Sequence, residues 1–343
     1  MESVERRTDL PVLLLHNVDP SWESSDVEVV FEAAKQLKSA LREEGHPVVE
    51  VPVWNSELAV ILKPYNPKGY IVFNWCEELP GLPRSDFVVA QILETLKFTY
   101  TGSPPQILEF SWNKPAVKEL LHRKGIATPR WQVFQVSGAD GWNCFPAIVK
   151  PTFEHCSNGI TTDAVVMNPQ ELEERIACVQ DVFHQPALVE DFIDGREFHV
   201  TLWGNGNIEV LPAAEMDFTA LDNVRDRLCT FDSKFTPGSL HYEKIELRIP
   251  AELDESEHFK LTQTALRAYE AMGCRDYARI DLRARNGIFY VLDINPNADL
   301  SPDTSMVYAA EVAGFTYGVV GSRLVNFAAQ RHSVFGGPCG TTF

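Results

Sequence analysis

The chain has 343 residues, 45% apolar and 23% charged, a globular balance in a chain too long for one small core. Its formal net charge of −18 excludes a general nucleic-acid binder, which needs a basic face, and leaves any phosphate chemistry to a few locally placed cations. Seven cysteines, at 76, 144, 156, 178, 229, 274 and 339, contain no C-x-x-C and speak against zinc or disulfide frameworks and for a reduced cytoplasm. The charged opening residues 1–9 hold no signal peptide, and the longest apolar runs are too short to span a membrane.

In chain order, 12–15 reads as a buried strand. Residues 27–42 space Val30, Ala33, Ala34, Leu37 and Leu41 as a helix that stops at Gly45. Strands at 46–53 and 69–74 complete the opening of an open α/β sheet. A helix at 86–96 and a segment at 98–102 lead to Pro104-Pro105, a domain boundary. Beyond it, 112–124 reads as a helix capped by Ser111 or Asn113, followed by strands at 131–136, 147–150 and 160–166 and a helix at 171–182. Runs at 187–193 and 197–203 flank Asp194-Gly195 in a hairpin-like pattern. An amphipathic helix at 259–272 ends at Gly273, and strands at 278–284 and 288–294 flank Asn286-Gly287. A last helix is expected over 307–329. The expected fold class is α/β: an N-terminal open α/β domain over 1–104, a central subdomain over 105–186, a C-terminal subdomain over 187–330, and a loose tail over 331–343.

The segment 278–297 carries the most chemistry. Apolar Ile280, Leu282, Leu292 and Ile294 are even-numbered, whereas Arg279, Asp281, Asp293 and Asn295 are odd-numbered, so each strand presents a polar face. Two carboxylates and an amide oxygen suit Mg²⁺, with Mn²⁺ as the alternative, and the arginine suits an acid or a developing oxyanion. The competing reading is an exposed hairpin with a solvated polar face. A two-residue turn at Asn286-Gly287 would place Asp281 and Asp293 on opposite faces. A shared face therefore predicts a three-residue loop or a glycine bulge at the turn.

In Phe145-Pro-Ala-Ile-Val-Lys-Pro151 a lysine ends a buried strand, where Lys150 can meet a phosphate or can be an ordinary surface lysine. The polar loop 152–159, with Ser157 near its end, suits phosphates through its backbone N–H groups. In Ala187-Leu-Val-Glu-Asp-Phe-Ile-Asp-Gly-Arg-Glu197, backbone groups suit an adenine edge and Glu197 suits ribose hydroxyls, although a plain hairpin explains the pattern alone. Gly204-Asn-Gly-Asn207 is a turn between strands with no helix after it, and no P-loop or G-x-S-x-G elbow is present. The nine histidines lack metal spacing, and His155, His184 and His199 read as surface or core residues.

Taken in order, Tyr100-Thr-Gly-Ser103, Asn113-Lys114, 145–151, 190–197, 231–234, Gly273-Cys274, Arg279-Ile-Asp281 and Asp293-Ile-Asn295 resemble the D-alanine–D-alanine ligase branch of the ATP-grasp superfamily, over residues 10–330. The resemblance implies a pre-ATP-grasp domain followed by a two-subdomain α+β ATP-grasp fold. It implies ATP with magnesium, used to join an amino acid or similar acid to an amine. Lys114, Lys150 and the mobile Lys234 would hold phosphates; Glu190, Phe192 and Ile193 would line the adenine, and Glu197 the ribose. Asp281, Asp293 and Asn295 would hold magnesium, Arg279 would face the acyl phosphate, and Ser157 would belong to the phosphate-covering loop.

The chain departs from the family's pattern in three places. Asp293 stands where Glu is usual. The loop 16–26 replaces a Gly-Gly loop, with Asp26 or Glu28 a loose counterpart of its acid. The stretch 296–302 replaces Thr-Ser-Pro-Gly-Met. Asn297, Asp299 and Asp303 would disfavour D-alanine at the second substrate position. The alternatives are a D-alanine–D-alanine ligase proper and a non-catalytic nucleotide-binding protein. The expected partners are small amino acids or amines, with a homodimer as one assembly and no nucleic acid or membrane.

Overall fold

The structure is a computed structural model, and it describes residues 6–336 except 137, 156, 231 and 237 and the side chains of 234 and 235. Three sheets follow one another along the chain. The first is built from β1 (Val12–Asn17), α1 (Ser24–Glu43), β2 (Val48–Val53), α2 (Leu58–Leu62), β3 (Ile71–Trp75), α3 (Asp86–Thr95) and β4 (Thr99–Tyr100). Its strands are parallel, in the order β2-β1-β3-β4. Both faces are covered, as a parallel sheet requires. Leu13 and Leu15 face α2 and α3, while Val12 and Leu14 face α1 and the helices from the end of the chain.

The second sheet follows α4 (Pro105–Ser111) and α5 (Lys114–Arg123). It contains β5 (Trp131–Phe134), β6 (Ala147–Pro151), β7 (Val165–Val166) and β8 (Ala187–Asp191), with α6 (Pro169–Phe183) packed on it. Its antiparallel order is β5-β8-β6-β7. Where the sequence suggests a strand over 160–166, a 3₁₀ turn at Thr162–Ala164 precedes a two-residue strand. The helix expected over 112–124 is α5, and its cap is Asn113, whose side chain accepts from the Ala116 N–H.

The third sheet holds β9 (Glu197–Gly204), β10 (Glu209–Val210) and β11 (Ala214–Asp217). After α7 (Asp232–Phe235) and α8 (Leu240–Lys244) come β12 (Glu246–Arg248), α9 (Glu255–Met272), β13 (Asp276–Arg285) and β14 (Ile288–Asn295). The order is β12-β11-β9-β13-β14, with β10 paired to β9. Helix α9 starts at a capping box of Asp254 and Glu257 and stops at Gly273 in the left-handed region. Its Leu261, Ala265 and Ala268 pack on Ile280, Leu282, Val291 and Ile294, which leaves the opposite face of the sheet for polar groups.

Two expectations are overturned here. The pattern 187–203 is not a hairpin, because β8 and β9 lie in different sheets and Asp194-Gly195 carries the chain between them. Gly195 is needed for close approach rather than for a turn: a Cβ there would sit 1.9 Å from the Ala284 carbonyl oxygen. Gly195→Ala should therefore force a backbone shift costing about 1–3 kcal/mol. Urea denaturation would read this as a lower midpoint, and an unchanged midpoint would show that the crossing is loose.

The single helix expected over 307–329 is two helices, α10 (Ser305–Val312) and α11 (Tyr317–Ala329). They are separated by Gly314 at φ +88° and restarted by Thr316, which caps the Val319 N–H. Helix α11 packs against α1, with Gly321 against Leu37 and Leu41, so the end of the chain completes the core of the first sheet. Of the tail, 331–336 is tied down: Arg331 pairs with fully buried Asp276, and His332 bonds the Pro67 carbonyl. Residues 337–343 lie outside the described residues. Asp276 also accepts from Gly102 N–H and Asn205, joining the first sheet to the third through the Tyr100-Thr-Gly-Ser103 segment.

Candidate active site

The polar face of the third sheet is a grid on three adjacent strands. Antiparallel pairing sets His199 of β9 opposite Asp281 of β13, and Asp281 opposite Asp293 of β14. One step along, Thr201 faces Arg279 and Arg279 faces Asn295; one step the other way, Glu197 faces Arg283. Directly opposed residues in a sheet share a face, so these side chains converge.

The two aspartates share that face for a reason other than the one expected. Asn286-Gly287 is a plain two-residue turn, with φ of +55° and +74° and Arg285 opposite Ile288. The register slips instead between Asp281 and Leu282, where Leu292 is the extra residue of a bulge in β14. The bulge contains no glycine and lies well away from the turn. The core residues of β14 are consequently Phe289, Val291 and Ile294, and Leu292 leaves the apolar row assigned to it.

Each acid of the grid has a cation. Arg279 grips Asp281 with two bonds, Nε to Oδ1 at 2.7 Å and Nη2 to Oδ2 at 3.0 Å. Burial opposes the charge on this guanidinium, but Asp281 more than restores it. Asn295 Nδ2 donates to Asp281 Oδ2 at 3.0 Å, which turns its amide oxygen away from that bond. Lys114, the first residue of α5, bonds Asp293 Oδ2 at 2.6 Å. Burial would raise the Asp293 carboxyl, yet Lys114 holds it well below the usual carboxylate range.

One turn along α5 from Lys114, buried Lys118 shares its face. Lys118 and Lys150 of β6 clasp Glu190 of β8 in ion pairs of 2.8 and 2.7 Å. Glu190 is 1% exposed, and the two lysines outweigh its burial and hold its carboxyl below the ordinary value. Lys150 also acts electrostatically on Asp293, so the clasp and the grid form one charged field between the second and third sheets.

Residues 192–197 lie at the Glu197–Arg283 end of the grid. Phe192 is buried among Ile148, Val165 and Leu228, with the Arg283 guanidinium 4.8 Å from its ring centre. Its N–H donates to the Pro146 carbonyl, and the Ile193 carbonyl accepts from Arg283 at 3.0 Å. Glu197 accepts from Arg283 Nε at 2.7 Å and lies 3.5 Å from His199 Nε2.

The loop after β6 closes over this region. Ser157 donates to the Cys229 carbonyl at 3.0 Å, and His155 packs edge-on against Trp112. Burial, with Lys114 nearby, pushes the His155 imidazole down to about 4, so it is neutral at pH 7. Lys234 lies in α7, with its side chain outside the described residues. Asn297 accepts from the Tyr277 hydroxyl, while Asp299 and Asp303 are exposed and Asp299 caps Ser301. The sequence reading missed Lys118, His199 and Arg283. The signals were there, in the four-residue step from Lys114 and in the odd-numbered strand positions.

The family model described as D-ala D-ala ligase C-terminus matches residues 120–326. An uncharacterized protein, y4sG of Sinorhizobium fredii, is 31% identical over 87% of this chain and 88% of its own length. A D-alanine–D-alanine ligase of Desulforudis audaxviator is 28% identical, covering 90% of this chain and 96% of that protein. One of Aquifex aeolicus is 29% identical, at 86% and 94%. The solved D-alanine–D-alanine ligase of Bacillus anthracis, complexed with ATP, superposes with a TM-score of 0.71 at 19% identity over 94% of this chain and 98% of that one, a likeness of fold. No helix among the described residues is long and apolar enough to cross a membrane. The family match covers more than half of the sequence and falls on the two sheets that build the charged field, and the chain belongs to the D-ala D-ala ligase C-terminus family, the ATP-grasp ligases that form C–N bonds.

Proposed function

We propose that this chain uses ATP to activate the carboxylate of an amino acid or similar acid and joins it to an amine, giving an amide, ADP and phosphate. The observation that carries the reading is the continuous field of Lys114, Lys118, Lys150 and Arg279 set against Asp281, Asp293 and Glu190. Lys114 and Lys150 bind phosphate oxygens, and Lys118 keeps Glu190 in place when Lys150 turns to the nucleotide. Phe192 and Ile193 line the adenine and Glu197 takes the ribose. Ser157 and Lys234 belong to segments that close over the phosphates and exclude water, which would otherwise hydrolyse an acyl phosphate. Arg279 holds the carboxylate and then the oxyanion formed when the amine attacks.

The donor set suits magnesium, with manganese as the alternative. Asp281 and Asp293 lie on facing positions, and rotation of the Asn295 side-chain amide, whose nitrogen bonds Asp281, would bring its oxygen to join them. A divalent ion held by these three residues would neutralise phosphate charge. Lys114 and Arg279 pair with the carboxylates of Asp293 and Asp281.

A second reading, D-alanine–D-alanine ligase proper, is favoured by the names of the relatives from Desulforudis audaxviator and Aquifex aeolicus. Asp299 and Asp303 face solvent and Asn297 is bonded to Tyr277, so these side chains select no amine, and the preference for another product rests on the changed stretch 296–302 alone. Phosphate release should require one particular acid together with one particular amine. Mass spectrometry of the products from a mixed pool of D- and L-amino acids should show a product richer than D-alanyl-D-alanine. D-alanyl-D-alanine as the best product would restore the second reading, and ATP binding with no phosphate release across the pool would leave a nucleotide binder.

A further inference from the structure

One corner of the polar grid carries donors of a different chemical kind. Glu197 and His199 lie two residues apart on the same face of β9, and Cys229 sits over them on the segment before α7. One donor atom from each of the three lies within 4.8 Å of the others. Glu197 Oε1 and His199 Nε2 are already 3.5 Å apart. A tetrahedral ion with bonds of about 2.0–2.3 Å spaces its ligands by about 3.3–3.8 Å. One edge of such a site is therefore formed, and Cys229 needs to close by no more than about 1.5 Å to complete the triangle.

The outer partners are also in place. Arg283 holds Glu197 Oε2 at 2.7 Å, which leaves Oε1 directed at the histidine. Ser305 Oγ lies 3.3 Å from His199 Nδ1, which keeps Nε2 turned into the triangle. Hydrogen bonds of this kind orient imidazole and carboxylate ligands in metal sites. The positive groups beside the triangle are matched by acids: Arg283 by Glu197, and Arg279 by Asp281.

We propose that Glu197, His199 and Cys229 form a second cation site, distinct from the hard-oxygen set of Asp281, Asp293 and Asn295, that takes a thiophilic divalent ion such as Zn²⁺ in the nucleotide-free protein. Sulfur and imidazole nitrogen select zinc or cobalt over magnesium. On binding, the Cys229 thiol loses its proton to solvent and a metal–sulfur bond forms, with water completing the coordination. The ion fastens the segment around Cys229, and with it the Ser157 hydrogen bond, to β9. The inference needs neither ATP nor turnover and stands apart from the ligase reading.

The test is a Co²⁺ titration of the reduced, nucleotide-free full chain, followed by displacement with Zn²⁺. The expected result is one ion per chain, with a near-ultraviolet sulfur-to-cobalt charge-transfer band that Zn²⁺ abolishes. Cys229→Ser should lose the band and bind Zn²⁺ at least about tenfold more weakly. His199→Gln should keep the band but lose affinity to a similar degree, and it decides the matter if Cys229→Ser does not fold. Cys178→Ser, at an exposed position on α6, should behave as the parent. No saturable binding by the parent, or Zn²⁺ affinity unchanged in both Cys229→Ser and His199→Gln, overturns the proposal.

Discussion

Arg279→Ala should lower kcat by about 10²–10³-fold while leaving ATP affinity close to that of the parent. The guanidinium is half-buried, bidentate to Asp281, and placed one strand position from the Asp281–Asp293 pair. A planar fork fixed in that way can turn one N–H to a developing oxyanion without reorganising, which is where electrostatic stabilisation has its largest effect. It is also far from Phe192 and Glu197 in role, so nucleotide binding should be spared. Truncation leaves partly buried Asp281 without its arginine, which should cost stability, though less than the roughly 3–5 kcal/mol of a fully buried pair. Arg279→Lys separates the two effects. It keeps the charge beside Asp281 and loses the fork, so stability should recover while kcat stays low. ADP formation at saturating ATP gives kcat, and thermal denaturation gives stability. A kcat for Arg279→Lys equal to that of the parent would remove Arg279 from the reaction.

The parts of the fold written in local pattern were readable before the structure was known. Alternation on β13 placed Arg279 and Asp281 on one face, and Gly273 ended α9 where its periodicity stopped. What was not readable depended on partners distant in sequence. Asp194-Gly195 carries the signature of a hairpin turn, but no local signal says that β8 pairs with β5 and β6 instead of β9. The bulge at Leu292 has no glycine to mark it. It follows from the demand that Asp293 and Ile294 keep their faces while Phe289 and Val291 keep theirs. The break between α10 and α11 was marked by Gly314 and Thr316, and the apolar residues on both sides masked it. His199 alone on a strand looks like a core histidine. It becomes part of a site only because β9 sits beside β13 and brings it opposite Asp281.

Lys150→Ala should weaken ATP binding itself by about 10–150-fold, the equivalent of one charge-assisted hydrogen bond worth about 1.5–3 kcal/mol. Lys150 is in β6, is buried at 8% exposure, and is fixed by Glu190 before any ligand arrives. A cation already ordered loses little entropy on meeting a phosphate, so its contribution appears in affinity. Removing it does not strand Glu190, because Lys118 remains 2.8 Å away, and the fold should survive. Lys234 provides the contrast. It lies in the short helix α7, in the segment proposed to close over the phosphates, so Lys234→Ala should leave ATP affinity nearly intact and slow turnover. Glu190→Gln completes the comparison: it releases both lysines from their common acid and should disturb ATP affinity without touching Arg279. Calorimetric titration with a non-hydrolysable ATP analogue measures the binding step alone. ATP affinity in Lys150→Ala equal to that of the parent would show that the clasp on Glu190 is structural and that the phosphates bind elsewhere.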